Sequence, residues 1–154
     1  GETRDAARMH AAIAKELRAS GKPMRTPACI ITGGETTVTM REHGKGGRNQ
    51  EFVLAAALDI EGLENAVILS AGTDGTDGPT DAAGAIADGR SIARAAKLGL
   101  SGQRALAGHD AYPFFEQLND LVITGPTNTN VMDVHLVLVG QGGIPRRVVN
   151  PPRS

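Results

Sequence analysis

Tryptophan is absent from this sequence of 154 residues, aromatic residues make up only 3% of it, and it contains a single cysteine. One cysteine cannot form an internal disulfide. Cys29 lies within the apolar stretch of residues 28–31, which predicts a buried, unreactive thiol. There are 20 glycines, and glycine with few aromatics favours an α/β scaffold with many tight turns over a β-sandwich.

Net charge and long apolar runs are lacking as well. The 16 basic and 17 acidic residues leave a formal net charge of -1, so no overall field would draw the protein to nucleic acid or to an anionic membrane. No apolar run approaches the ~20 residues of a membrane span, and the first residues lack the basic and apolar regions of a signal peptide. We therefore expect a cytoplasmic protein with neither a membrane nor a nucleic acid as partner.

Hydrophobic residues make up 40% of the sequence, in patterns typical of alternating helices and strands. The predicted helices are Thr3–Ser20, closed at Gly21, and residues 49–60, 88–98 (with Asp88 as the N-cap), 101–108 and 112–118. The predicted strands are residues 28–32, 36–40, 66–71, 121–124 and Asp133–Val139. Residues 82–87 are ambiguous between helix and strand.

The order of these elements predicts a fold class. Residues 66–71 form a continuous apolar run, which favours a central strand covered on both faces. Helices that alternate with strands predict a layered α/β/α domain with a mixed, mostly parallel sheet. We divide the sequence into a helix and linker at 1–27 that continue from a missing N-terminal domain, an α/β domain at 28–140 and a tail at 141–154.

A glycine loop with two cations leads into the helix predicted at residue 49. Its members are Gly44, Lys45, Gly46, Gly47, Arg48, Asn49, Gln50 and Glu51. Free N–H groups at the helix start, the helix dipole and the side chains of Lys45 and Arg48 together predict a receptor for a phosphate or carboxylate. A solvated basic turn explains the same residues equally well. Neither nucleotide fingerprint fits, because Asn49 stands where the dinucleotide motif has its third glycine and the P-loop pattern is missing.

Three carboxylates, Asp74, Asp77 and Asp81, lie on the loop 73–81 after the predicted central strand. Ligands bind at the carboxyl ends of strands in open α/β sheets, where carboxylates could hold Mg²⁺ through water or accept a proton from a hydroxyl. Asp-Gly and Gly-Pro are also ordinary turn dipeptides, so a purely structural loop is the alternative. The position after a central strand favours a functional site.

Other polar residues give weaker signals. Glu35 follows two glycines and could face a cleft, or it could be the exposed residue of a glycine hairpin. The loop 124–130 offers hydroxyl and amide groups, which are common in all loops. The histidines lack the spacing of metal ligands and are interpreted as surface or packing residues.

Several long motifs, taken in order, resemble one family. They are residues 32–38 (TGGETTV), 46–51 (GGRNQE), 72–84 (GTDGTDGPTDAAG), 110–115 (DAYPFF) and 124–131 (TGPTNTNV). From about residue 28 to residue 140 the sequence is similar to the MOFRL domain, the C-terminal part of class II glycerate 2-kinases, many of which are labelled hydroxypyruvate reductase. Several motifs in order are far more specific than one glycine loop.

The resemblance implies a kinase that transfers the γ-phosphoryl group of ATP to the 2-hydroxyl of D-glycerate, with Mg²⁺, and forms 2-phosphoglycerate. It also implies an N-terminal domain, missing here, that binds most of the ATP and Mg²⁺ and closes a cleft against this domain. These 154 residues alone are therefore expected to be inactive. No metal ligand is assigned, and a homo-oligomer is left open.

By the same resemblance, Arg48 is the residue expected to stabilise the substrate or the transferring phosphoryl group, because phosphoryl transfer depends on positioned charge. Asp77 is the second predicted catalytic residue. The predicted substrate-binding residues are Lys45, Gly46, Gly47, Asn49, Glu51, Asp74 and Asp81. Asn49 and Glu51 are expected to support the glycine loop, and the aspartates to orient the acceptor hydroxyl or a metal-bound water.

Two other functions stay open at this point. The family's label suggests a hydroxypyruvate reductase that oxidises a nicotinamide cofactor, although the sequence has no dinucleotide fingerprint. A noncatalytic binding or dimerisation module, in which the glycines and aspartates are only turn residues, is the second alternative.

Overall fold

One antiparallel sheet organises the computed structural model, which describes residues 1–39 and 44–141. Within these residues the strands are β1 (Ala28–Gly34), β2 (Ala66–Gly72), β3 (Gly84–Asp88), β4 (Leu121–Val122) and β5 (Asp133–Val139). Their order across the sheet is β1-β5-β2-β3-β4, and every neighbouring pair runs antiparallel.

The expectation of a mostly parallel sheet is therefore wrong, although helices do alternate with strands. β1 and β2 run in the same direction, since each is antiparallel to β5, and α2 (Arg48–Asp59) connects them as a crossover helix. β5, the last strand in the described part of the chain, lies between β1 and β2 and pairs with both. The layered helix-and-sheet class is confirmed, whereas the inserted β5 reverses the direction of every neighbouring strand.

The helices lie on one face of the sheet. They are α1 (Thr3–Ser20), α2, α3 (Ser91–Lys97), α4 (Gly102–Ala107) and α5 (Ala111–Leu118). α1 contacts β5, α2 contacts β2 and β3, and the three shorter helices pack around α2. Over the described ranges the opposite face has no helical layer, so two layers replace the expected α/β/α order. None of the described helices has the length and apolarity that crossing a membrane requires.

The core lies around α2, as the predicted buried helix indicated. Phe52, Val53 and Leu54 are fully buried there, and Ile68 of β2 and Val137 of β5 reach the same core from the sheet. Burial alternates along β5, where each inward residue is buried and each outward residue is half-buried. This alternation places two polar residues of β5, Asp133 and His135, beneath the helices.

Several element boundaries differ from the predictions by one or two residues, and two differences are larger. Thr37 forms only an isolated bridge to Glu2 instead of a strand, and residue 40 of that predicted strand lies outside the described residues. Asp88 ends β3 instead of capping a helix. Its carboxylate accepts a hydrogen bond from the N–H of Arg90, and α3 begins only at Ser91.

The single cysteine is exposed, and the prediction of a buried thiol is wrong. β1 is an edge strand, and Cys29 points away from the helices. An apolar run alone does not show which of its residues face the core. The predicted tail lies outside the described residues apart from Gln141, and the predicted domain boundaries stay predictions.

Candidate functional site

An open pocket of about 430 Å³ lies where the glycine loop meets the start of α2. Its walls are residues 36–38, Gly44, Gly46, Gly47, Arg48, Glu51, Gly78, Pro79 and His109. The glycines of the predicted loop, Arg48 and Glu51 thus line the same pocket. Asp74 and Asp81 do not line this pocket.

Arg48, the first residue of α2, is held by two carboxylates. Its Nε donates to Asp133 Oδ2 at 2.6 Å and its Nη2 to Asp133 Oδ1 at 2.9 Å, while Nη2 also lies 2.8 Å from Glu35 Oε1. Asp133, the first residue of β5, is only 2% exposed. The hydrogen bonds to Asp133 raise the pKa of Arg48 above its already high value, so the guanidinium is charged at any working pH.

One end of the guanidinium has no hydrogen-bond partner among the described residues. The group has five N–H donors, of which Asp133 accepts one from Nε and one from Nη2, while Glu35 forms an ion pair with Nη2. Nη1 has no hydrogen-bond partner in residues 1–39 and 44–141. Arg48 can therefore offer Nη1 to an anion.

Asp77 caps α2. Its Oδ1 accepts hydrogen bonds from the backbone N–H of Asn49 at 3.0 Å and from the Asn49 amide at 3.2 Å, and its Oδ2 accepts from the N–H of Gln50 at 2.8 Å. The helix-start N–H groups expected to receive a ligand are thus donated to a side chain of the protein itself. A Cβ at Gly47 would overlap this carboxylate, which explains the glycine. The catalytic role of Asp77 stays a prediction.

Burial changes the acidity of Asp77. Desolvation raises its pKa to about 6, although the hydrogen bonds from Asn49 and Gln50 act in the opposite direction. The carboxyl group therefore titrates within the range in which many proteins work, in contact with the helix start that positions Arg48.

A buried polar chain continues behind Asn49. Ser70 Oγ lies 2.5 Å from Asn49 Oδ1 and 2.7 Å from His135 Nδ1. Because Ser70 has one hydrogen and donates it to Asn49, we assign the hydrogen of the second contact to His135 Nδ1. Burial, with His10 nearby, lowers the pKa of His135, and its ring stacks on Phe52 at 4.3 Å. This chain fixes the Asn49 side chain from beneath, and the supporting role of Asn49 stays a prediction.

Glu51 joins three parts of the structure. Its Oε1 accepts from Arg4 Nε of α1 at 2.7 Å, and its Oε2 lies 2.8 Å from His109 Nδ1 in the turn before α5. Glu51 and His109 are both buried. Glu51 thus links α1 and the turn before α5 at the pocket wall, and its predicted role stays a prediction.

The remaining predicted residues lie to the side. The Nζ of Lys45 lies 3.8 Å from the centre of the Tyr112 ring, whose hydroxyl donates to Asp81 Oδ1 at 2.6 Å. Asp74 Oδ1 accepts from the N–H of Thr76 in its own loop at 3.0 Å. The three loop aspartates therefore have separate partners. In the described ranges there is no group of three or more His, Cys, Asp and Glu side chains that could hold a metal.

Asp133 and Ser70 were not predicted from the sequence, and His135 was interpreted only as a surface or packing residue. Asp133 and His135 occupy inward positions of β5, where Val137 and Val139 are apolar and buried. Polar residues at the apolar positions of an alternating strand were the signal that could have found them.

Near pH 8, where Asp77 is ionised, Asp77→Asn is expected to lower the free energy of unfolding by about 1 to 2 kcal/mol, because an amide cannot accept from both Asn49 and Gln50. The loss should be larger near pH 4.5 than near pH 8. A folded pKa raised to about 6 stabilises the wild type below its unfolded pKa of about 3.9, and this advantage disappears as the pH rises through 6. Urea unfolding of both proteins at the two pH values measures the difference, and equal losses would contradict the raised pKa.

Arg48→Met is expected to cost about 3 to 5 kcal/mol of unfolding free energy, because the buried Asp133 carboxylate loses its cation. Arg48→Met/Asp133→Asn removes that carboxylate charge too and should recover part of the loss. Glu35→Gln is the control, because Glu35 pairs with the same guanidinium from a 57% exposed position and should cost about 1 kcal/mol or less. Equal losses for Arg48→Met and the double variant in urea unfolding would show that Asp133 is not the dependent partner.

The sequence of this chain is similar to known proteins of one family. The family model described as MOFRL matches residues 28–133. D-glycerate 2-kinase of Thermotoga maritima is 46% identical over 90% of this chain, and glycerate 2-kinase of Pyrococcus horikoshii is 41% identical over 90% of it. A protein of Agrobacterium vitis named putative hydroxypyruvate reductase is 44% identical over 91% of the chain.

A solved structure is similar as well. The crystal structure of glycerate kinase from Thermotoga maritima matches 90% of this chain with a TM-score of 0.88, and the match covers 33% of that protein. The curated relatives named above are also covered by only 33%, 32% and 37% of their lengths, so the chain spans about a third of them. The match over residues 28–133 and the shared fold show that this chain belongs to the MOFRL family.

Proposed function

We propose that this chain is the C-terminal domain of a cytoplasmic glycerate 2-kinase and contributes to the ATP-dependent phosphorylation of D-glycerate to 2-phosphoglycerate. The reaction takes place in a cleft between this domain and the remainder of the protein. The observation that carries the proposal is Arg48, which lines the pocket, is held by Asp133 and Glu35, and has no hydrogen-bond partner for Nη1 in residues 1–39 and 44–141. The glycerate kinases among the relatives support the same reaction.

In the proposed reaction Arg48 stabilises negative charge on the transferring phosphoryl group or on glycerate. Phosphoryl transfer depends on oriented charge more than on covalent chemistry, and the two carboxylates fix the orientation of the guanidinium. Gly47 makes room for the Asp77 carboxylate that caps α2, and Lys45 supplies a second cation on the same loop. Asn49 and Glu51 hold the start of α2 in place.

ATP and Mg²⁺ are proposed to bind mainly to the remainder of the protein. When bound, they supply the phosphoryl group and neutralise its charge. Arg48, Asp133 and Glu35 together carry a net charge of about -1 when ionised, so this trio alone does not attract a phosphate. Mg²⁺ commonly uses one or two carboxylates together with phosphate oxygens. Asp74 and Asp81 lie outside the pocket and have separate partners, so no Mg²⁺ ligand is assigned to this domain.

A reductase is the second candidate, since relatives from Agrobacterium vitis carry that name. The structure adds an argument against it, because Asp77 occupies the N–H groups at the start of α2, where a dinucleotide pyrophosphate would bind. The kinase is therefore the better supported function.

The deciding experiment uses the full-length protein with glycerate and ATP, and separately with hydroxypyruvate and a reduced nicotinamide cofactor. Consumption of ATP with formation of 2-phosphoglycerate is expected, without oxidation of the cofactor. The 154-residue chain alone should show no turnover, because the proposed nucleotide site lies in the remainder. Oxidation of the cofactor, or turnover by the chain alone, would overturn the proposal.

Arg48→Lys in the full-length protein is expected to lower kcat by on the order of 10²-fold or more, with a smaller change in KM. An ammonium keeps the charge but cannot hold Asp133 through two parallel donors and offer a third donor in a fixed direction. Arg90→Lys, at an exposed position before α3, is the control and should leave both constants unchanged.

Steady-state kinetics and the melting temperature of both variants separate the outcomes. A raised KM with an unchanged kcat would mean that Arg48 only holds ground-state glycerate. Wild-type values of both constants for Arg48→Lys would refute its assignment.

A further inference from the structure

The sheet face opposite the helices, called here the open face, is apolar. Its members are Cys29, Ile31, Val67, Leu69, Ile86, Val134, Leu136 and Leu138. Strand register places them in rows, so that Ile31 lies opposite Leu136, Leu136 opposite Leu69, and Leu69 opposite Ile86. A second row runs from Cys29 through Leu138 and Val67 to Asp88, the charged residue at its end.

The open face contributes nothing to the core. None of its eight members belongs to the buried core or packs against it. Ile31 is 67% exposed, Cys29 is exposed, and the others are half-buried. An antiparallel sheet that faces water on one side normally alternates apolar with polar residues. Here both faces are apolar, and contiguous apolar surface of this kind marks an interaction site.

We propose that the open face is the docking surface for an apolar face of the polypeptide outside these 154 residues in the full-length protein. The chain spans about a third of the relatives that it matches, so most of such a protein lies elsewhere. A helical segment docked here would add the third layer that the continuous apolar run of β2 predicts.

The area of the face favours a covalently joined segment over a second copy of the chain. A third row runs from Gly33 through Val134 and Ala71 to Gly84. Four strands about 4.8 Å apart and three rows about 6.8 Å apart give roughly 400 Å². A stable complex of separate proteins buries about 800 Å² on each partner. A segment of the same polypeptide needs less area, because it loses much less translational and rotational freedom on docking.

The docking surface rests on the proposed function only in that the chain is one domain of a longer protein. Labelling of a thiol needs no enzymatic activity. A full-length protein without kinase activity can therefore still support or contradict the docking surface.

Cys29 is a native probe of the open face. The full-length protein and the 154-residue chain are treated with N-ethylmaleimide, and modification of the peptide that contains Cys29 is followed by mass spectrometry. We expect the rate in the full-length protein to be at least tenfold lower than in the chain, where Cys29 is exposed. Equal rates would overturn the proposal. Slow labelling of the chain alone would overturn it too, and protection that grows with chain concentration would identify a second copy as the occupant.

Ile31→Lys provides the matching variant. A charge on the open face should displace the docked segment, so Cys29 in the full-length variant is expected to label at least fivefold faster than in the full-length wild type. Met9→Lys is the control, because Met9 is 55% exposed but lies on α1, on the helical side. Similar labelling of Cys29 in both variants would contradict the proposal. If Ile31→Lys does not fold, the wild-type comparison still decides.

Discussion

The hydrogen bonds that Asp77 accepts from Asn49 and Gln50 fix the start of α2, and the rest of the site depends on where that helix starts. Arg48 is the first residue of α2 and meets Asp133 from there, while Glu51 meets Arg4 and His109 one turn later. A carboxylate at this place satisfies the unpaired N–H groups and complements the helix dipole. One loop aspartate thus positions both the cation and the walls of the pocket.

Because Asp77 is buried, its protonation changes within a pH range in which many proteins work. Asp77 and Asp133 are each 2% exposed, yet they differ in how their charge is balanced. Asp133 has a guanidinium as hydrogen-bond partner, whereas Asp77 accepts hydrogen bonds from N–H groups. Desolvation outweighs those hydrogen bonds and raises the pKa of Asp77 to about 6.

The sequence predicted the helices and the cation of the site better than the sheet and its carboxylates. α1 and α2 follow local periodicity, and Arg48 lies in a local motif, so neighbouring residues were enough to find them. Asp133 is far from Arg48 in the sequence, and only the insertion of β5 between β1 and β2 brings the two together. Cys29 was misplaced because a short apolar run does not show which face of an edge strand meets the core. Pairing between distant segments is the information that local patterns lack.

The insertion of β5 also has a consequence for biosynthesis. β5 leaves the ribosome after β1 to β4, yet it is the strand that joins β1 to β2. Until β5 emerges, β1 has no partner strand among the described residues, and Arg48 lacks the Asp133 carboxylate. Folding of this domain can therefore finish only after β5 has been translated. Until then its apolar strands stay exposed.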